Sequence, residues 1–348
     1  MLEIKLSIRG VGADLNLSQF LGNSENVLGN CRFHVNADLR EADAWFVIED
    51  LESDDTHCAT PDGALFFLTA ETSWPIGYYS DSAARMQFIK QFDAQYTCHD
   101  LYLESSNYSM PFLPWMINAN HGVSMFGPHE RDVRYFSELA SLPKPKVLSV
   151  FCSAQSMTAS HRMRLRFVEQ LKAHFGDQLD WYGNGIQPLA QKWDGIAPYK
   201  YTIVLENHAA NNVITEKIQD AFLGLSYPIY WGASNVDDYF DADGMTQIDI
   251  ADLRGSISAI EKVLAEDPYE RAQESLLRNK SKVVGELMFL NRMAVIAQQA
   301  CNGSLPMPKK PRVTRPIAAF EPGGHKRIAT GVQRAGRLLQ RAGQRINF

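Results

Sequence analysis

Tyr199-Lys-Tyr-Thr-Ile-Val-Leu-Glu-Asn207 is followed eight residues later by Thr215-Glu-Lys217 and then by Ile218-Gln-Asp-Ala-Phe-Leu-Gly-Leu-Ser-Tyr-Pro-Ile-Tyr-Trp-Gly232. The run Tyr201 to Leu205 has the length and β-branched content of a buried strand. It ends on Glu206 and Asn207, which the reading places beyond the carboxyl end of that strand, where open α/β sheets carry ligand loops. Thr215 then starts a helix whose apolar positions Ile218, Ala221, Phe222 and Leu225 recur at helical spacing. Lys217 falls in the first turn, where the helix macrodipole opposes a cation and favours an anion. An anionic ligand shared by Lys217 and the helix N-terminus would reconcile the two.

The same alternation of strand and helix extends in both directions. Strands are expected at Glu3 to Ile8, Ala44 to Ile48, Ala64 to Thr69 and Ala94 to Thr97, with a helix from Ser82 to Phe92. After Lys144-Pro-Lys146 come a strand, Val147 to Phe151, an amphipathic helix, Ser160 to Phe175, and a short strand, Asp180 to Tyr182. Beyond Gly232 the pattern gives a strand at Thr246 to Ile248 and helices near Leu253 to Ala265 and Tyr269 to Gln299. Such alternation implies α/β architecture with two doubly wound, Rossmann-like domains facing a cleft. The expected boundaries are 1–143, 144–300 and a tail, 301–348, made of a Pro-rich connector (Pro306 to Pro322, extended and mobile) and a basic amphipathic C-terminal helix.

The 348 residues suffice for two substantial cores. Five scattered cysteines without a C-x-x-C pair speak against a disulfide framework or zinc cluster and fit a reducing cytoplasm. No apolar run reaches the roughly 20 residues that span a bilayer, and the first residues read as a strand rather than a signal peptide. The net charge of −6 divides into +9 for residues 302–348, where ten Lys or Arg face only Glu321, and −15 for the rest. In the tail, Ile328, Val332, Ala335, Leu339, Ala342 and Ile346 share one helical face, and Arg334, Arg337, Arg341 and Arg345 the other. Three readings stay open for it: packing on the protein's own body, lying on anionic lipid at the inner face of the membrane, or docking a partner protein. Nucleic acid is disfavoured by the acidic body.

The 199–232 stretch resembles the donor motif of glycosyltransferase family 10, the α-1,3/1,4-fucosyltransferases: Y-K-F-x-x-x-F-E-N, a loop, [YW]-[VI]-T-E-K, a helix, and P-[IV]-x-x-G. Tyr201 stands at the usual Phe, and Val213 at a position usually held by a donor-contacting aromatic residue. The resemblance implies a GT-B fold of the bacterial type, inverting transfer of L-fucose from GDP-fucose to a glycan hydroxyl, and no required metal or other cofactor. It implies donor contacts from Asn207, Glu206, Thr215, Glu216 (ribose hydroxyls) and Lys217 (phosphate), with Val213 and Gly232 as further donor-side candidates. The alternatives are a related GT-B enzyme using another nucleotide sugar, and a non-catalytic glycan- or nucleotide-binding relative. The acceptor expected from family habit is a surface polysaccharide or lipopolysaccharide.

Inverting transfer needs a carboxylate base for the acceptor hydroxyl. Glu71, in Phe67-Leu-Thr-Ala-Glu71 after an apolar strand, resembles the family's F-x-T-G-E segment. The departing diphosphate needs cationic donors, and Arg164-Leu-Arg-Phe167 resembles the family's R-x-x-[FY]; Arg164 is the first choice, Arg162 the second, and Arg166 reads as surface. Trp74, Tyr78, Tyr79 and Trp115 are candidate platforms for acceptor sugars, each also plausible as a core aromatic. Tyr199 and Lys200 read as braces for their strand. His161 is a weaker candidate for the cleft, and His99 and His208 weaker still. Asp241-Ala-Asp243-Gly fails as a calcium loop because its twelfth position is Asp252 rather than Glu.

Overall fold

The computed structural model describes residues 1–8, 15–51, 56–69, 82–98, 103–120, 130–156, 158–301 and 307–320. Glu71, Trp74, Tyr78, Tyr79, His99 and the C-terminal amphipathic segment 323–348 lie outside the described residues. The chain forms two compact units. One comprises Met1–Phe112 and, among the described residues, 289–320; the other is Leu113–Met288. The divisions therefore fall at 112/113 and 288/289, where the sequence reading put them after 143 and 300.

In chain order the first unit contains β1 (Leu2–Ile8), α1 (Ser18–Leu21), β2 (Val27–Leu28), β3 (Cys31–Val35), β4 (Ala44–Ile48), β5 (Thr56–Thr60), β6 (Leu65–Leu68), α2 (Ser82–Ile89), β7 (Ala94–Thr97) and β8 (Ser106–Tyr108). Its sheet runs β2-β3-β1-β4-β6-β7-β8, parallel throughout except where β2 turns back on β3. β4 and β6 are buried at every position, as strands covered on both faces must be. Trp45, Val47, Phe67, Phe88 and Phe92 form the core on one side of that sheet.

The second unit contains α3 (Val133–Glu138), β9 (Lys146–Phe151), α4 (Ala159–Phe175), β10 (Leu179–Tyr182), β11 (Tyr199–Leu205), α5 (Glu216–Leu223), β12 (Tyr227–Trp231), β13 (Thr246–Gln247), α6 (Leu253–Glu266) and α7 (Gln273–Val284). Its sheet order is β10-β9-β11-β12-β13, all parallel. Ile203 at the centre of β11 sits between Val150 and Ile229, which explains why this strand reads as an unbroken apolar run. The order reverses between β9 and β11, so the sheet has its topological switch point beyond their carboxyl ends.

Two expectations are corrected here. The single helix expected from Tyr269 to Gln299 is α7 and a separate α8 (Phe289–Ala300). Gly285 ends α7, and the Leu287 N–H returns to the Lys282 carbonyl at 2.9 Å. α8 then joins the first unit, with Phe289 edge-on to Phe20 and the Arg292 guanidinium 3.7 Å from the Phe112 ring centre. The connector is extended but tied down: β14 (Lys310–Thr314) pairs antiparallel with β5. Arg312 donates to both carboxylate oxygens of Asp93, at 2.8 and 2.7 Å, and Lys309 pairs with Asp43 at 2.9 Å. A 3-10 turn, Ile317–Phe320, follows, and Ile317 enters the core of the first unit. Among the described residues no helix is long and apolar enough to cross a membrane.

Candidate active site

The switch point of the second unit collects the residues that the sequence singled out. Thr158 caps the N-terminus of α4, its hydroxyl accepting the His161 N–H at 3.1 Å. Its buried face carries His161 and Arg164, one turn apart and each only 8% exposed. Arg164 donates to the Leu205 carbonyl at the end of β11, 3.3 Å away, while its Nε and the Nδ1 of His161 have no hydrogen-bond partner. Burial lowers the Arg164 pKa, and Cys152, Glu206 and Glu216 oppose that. Arg162 and Arg166 are exposed, and Arg162 turns back to the Ser156 carbonyl. Of the three arginines, only Arg164 faces the sheet.

The opposite half of the site is the β11–α5 loop. Glu206 is fully buried and accepts from the Thr215 N–H at 2.8 Å, the Thr215 hydroxyl at 2.6 Å and Lys217 Nζ at 3.3 Å. Lys217 also lies 3.2 Å from Glu216 and donates to the Thr215 hydroxyl at 2.8 Å. Burial works against the ammonium, but Glu216 and Glu206 outweigh it and raise the Lys217 pKa. Burial would likewise raise Glu216, yet Lys217 and Lys192 hold its carboxyl near pKa 2. The dipole conflict at Lys217 is thus met by two carboxylates of the chain itself. The Lys217 side chain remains 24% exposed and Glu216 16%, so both present to solvent what Glu206 and Thr215 hold from beneath.

Asn207 is half-buried on the same loop, and His208 is exposed. Val213 is 1% exposed, so its side chain belongs to the core and not to the loop surface. Gly232 serves the protein's own packing: a Cβ there would lie 2.2 Å from the Tyr230 hydroxyl and 2.5 Å from Cγ of Glu206. Tyr199 donates to Asp180 at 2.5 Å, and Lys200 pairs with Asp267 at 2.6 Å, bracing the start of β11. Trp115 is corrected from a sugar platform to a core residue, 1% exposed and edge-on to Phe136 in the second unit. Asp241 is engaged by Arg278 at 2.6 Å and accepts the Asp243 N–H at 3.0 Å.

Two site residues escaped the sequence reading. Asp220, one turn beyond Glu216 on α5, is fully buried; it accepts the Met116 N–H at 2.9 Å and pairs with Lys192 at 2.5 Å. Burial lifts its pKa to about 6 against the pull of Lys192. An acid in the apolar stripe of α5 was the available signal for Asp220. Lys192, at the start of a short 3-10 helix, offered none.

This arrangement sits inside residues 143–267, which match the family model "Glycosyltransferase family 10 (fucosyltransferase) C-term". The chain is therefore a glycosyltransferase. Residues 143–267 thus carry the C-terminal domain of family 10, the fucosyltransferases. Among solved structures, the chain is similar to an α1,3-fucosyltransferase crystallised with GDP: 15% identity, TM-score 0.51, covering 86% of this chain and 90% of that one. An α1,3-fucosyltransferase structure with GDP-fucose aligns at 16% identity and TM-score 0.49, over 88% and 92% of the two chains. At such identity the first likeness is one of fold, the GT-B type. No curated protein matches the sequence.

Proposed function

We propose that this chain transfers L-fucose from GDP-fucose to a hydroxyl of a glycan, with inversion. The observation that carries the reading is the buried Arg164 beside Lys217 at the switch point of the family-matched unit. Arg164, Lys217 and the amides at the start of α5 would take the charge that develops on the leaving diphosphate. Glu216, held ionised and partly exposed, would accept the ribose hydroxyls. Glu206 and Thr215 would fix the loop that presents them, and Asn207 would line it.

In this reading Glu71 is the base that deprotonates the acceptor, the first unit binds the acceptor, and Trp74 and Tyr78 stack on its sugars. The reading involves no metal, with Arg164 and Lys217 as the side-chain donors to the diphosphate. The acceptor is a surface polysaccharide or lipopolysaccharide, and the enzyme works in the cytoplasm, peripheral to the inner face of the membrane. The test is a screen of nucleotide sugars on a panel of oligosaccharides, read by mass shift. GDP-fucose should give transfer that Glu71→Ala abolishes while GDP binding is nearly retained, and that Lys217→Ala weakens together with binding. Full activity in Glu71→Ala would remove Glu71 as base.

A second reading, a related transferase with another nucleotide sugar, is favoured by one observation: Val213, at the usual aromatic position, is buried. Calorimetry with GDP, UDP and dTDP separates the two.

A further inference from the structure

The charged side chains at the switch point balance one another. Arg164, Lys217 and Lys192 face Glu206, Glu216 and Asp220, joined through the Lys217–Glu206, Lys217–Glu216 and Lys192–Asp220 pairs. A sugar diphosphate placed there brings two further negative charges. An electrically balanced, largely buried cluster receives them poorly unless it gains positive charge.

One group is placed to supply that charge. His161 lies one turn from Arg164 on the buried face of α4, and its Nδ1 is enclosed and unpaired. A ring nitrogen left so is costly in a folded interior, which suits a group whose partner arrives with a ligand. The surrounding charges act in the same direction. Burial, then Arg164 and Lys217, lower the pKa of the imidazole. The other titratable groups of the cluster are Glu206 beyond β11, Glu216 and Asp220 on α5, and Cys152 beyond β9, whose thiol burial pushes up.

We infer that His161 is a positioning residue of the donor subsite, taking up a proton when a nucleoside diphosphate sugar binds and so restoring the balance with Arg164 and Lys217. This rests on the diphosphate-binding reading above. The imidazolium then offers an N–H where the neutral ring left an unpaired nitrogen, and it holds the diphosphate side of α4 in place.

GDP-fucose is the probe of choice because its diphosphate, a diester, does not itself titrate near neutrality. Wild-type affinity should tighten about three- to tenfold from pH 8 to pH 6, as linkage requires when the bound state holds the extra proton. Calorimetry in buffers of different ionisation enthalpy should record the uptake directly, with no variant needed. His161→Gln should lose both the pH dependence and the uptake while still binding at pH 8. Absence of GDP-fucose binding by wild type at every pH would overturn the donor reading, and this inference with it. Binding with flat affinity and no uptake would overturn the inference alone. Equal uptake in His161→Gln would assign the proton to another group, with Asp220 first, and would also overturn it.

Discussion

Glu206 shows how a residue can belong to a site without presenting itself to it. Its two oxygens serve three donors, and all of them lie in the Thr215-Glu-Lys217 box. Gln in its place offers one acceptor oxygen and leaves a buried donor unpaired. Glu206→Gln should therefore cost about 2–4 kcal/mol in denaturant unfolding, and should loosen nucleotide binding through the displaced loop. Gly232→Ala attacks the same point by overpacking, because the new Cβ meets Cγ of Glu206 and the Tyr230 hydroxyl; about 1–3 kcal/mol is expected. Stability unchanged in both variants would show that the loop does not depend on Glu206. The box was legible in the sequence because its residues sit close together along the chain. The sequence also placed Lys217 at an unfavourable helix end, but the identity of its counter-charges depended on which side chains the strand turned inward. Lys192 and Asp220 stayed hidden for that reason: their meeting is set by tertiary packing across 28 residues of chain.

At the scale of elements, long periodic segments read well and short or irregular ones did not. β4, β7, β9, β11, α4 and α6 lie within a residue or two of where apolar spacing placed them. Missed elements share a physical reason. β3 and β5 have mixed faces, Cys31-Arg-Phe-His-Val35 and Thr56-His-Cys-Ala-Thr60, whose partners only the fold supplies. β14 reads as a Pro-rich linker because its stability comes from outside the segment: the β5 ladder and the Arg312–Asp93 pair. That dependence makes a prediction. Asp93→Ala should destabilise the protein more than Arg312→Ala, by about 1 kcal/mol, since Asp93 also accepts the Leu65 N–H at 3.0 Å. Equal losses in chemical denaturation would show that the contact with β6 contributes nothing.

At the scale of the whole molecule, charge is unevenly divided, with +9 beyond residue 301 and −15 before it. Vesicles containing anionic lipid should therefore co-sediment the full chain and lose it when residues 323–348 are removed, with zwitterionic vesicles retaining neither. Equal sedimentation of the two forms would discard the membrane reading of the tail. The path of the chain has a consequence of another kind, in time rather than in space. Leu113–Met288 is contiguous and has its strands in hand as soon as it has been made. Met1–Phe112 leaves the ribosome before Leu113–Met288, yet α8 and β14, which belong to its unit, follow that whole stretch. At about 5–20 residues per second, the apolar seat of Ile317 and the unpaired edge of β5 stand open for on the order of ten to forty seconds. The unit that begins earlier is thus completed later, and its open β5 edge is an aggregation liability for as long as β14 is still to be made.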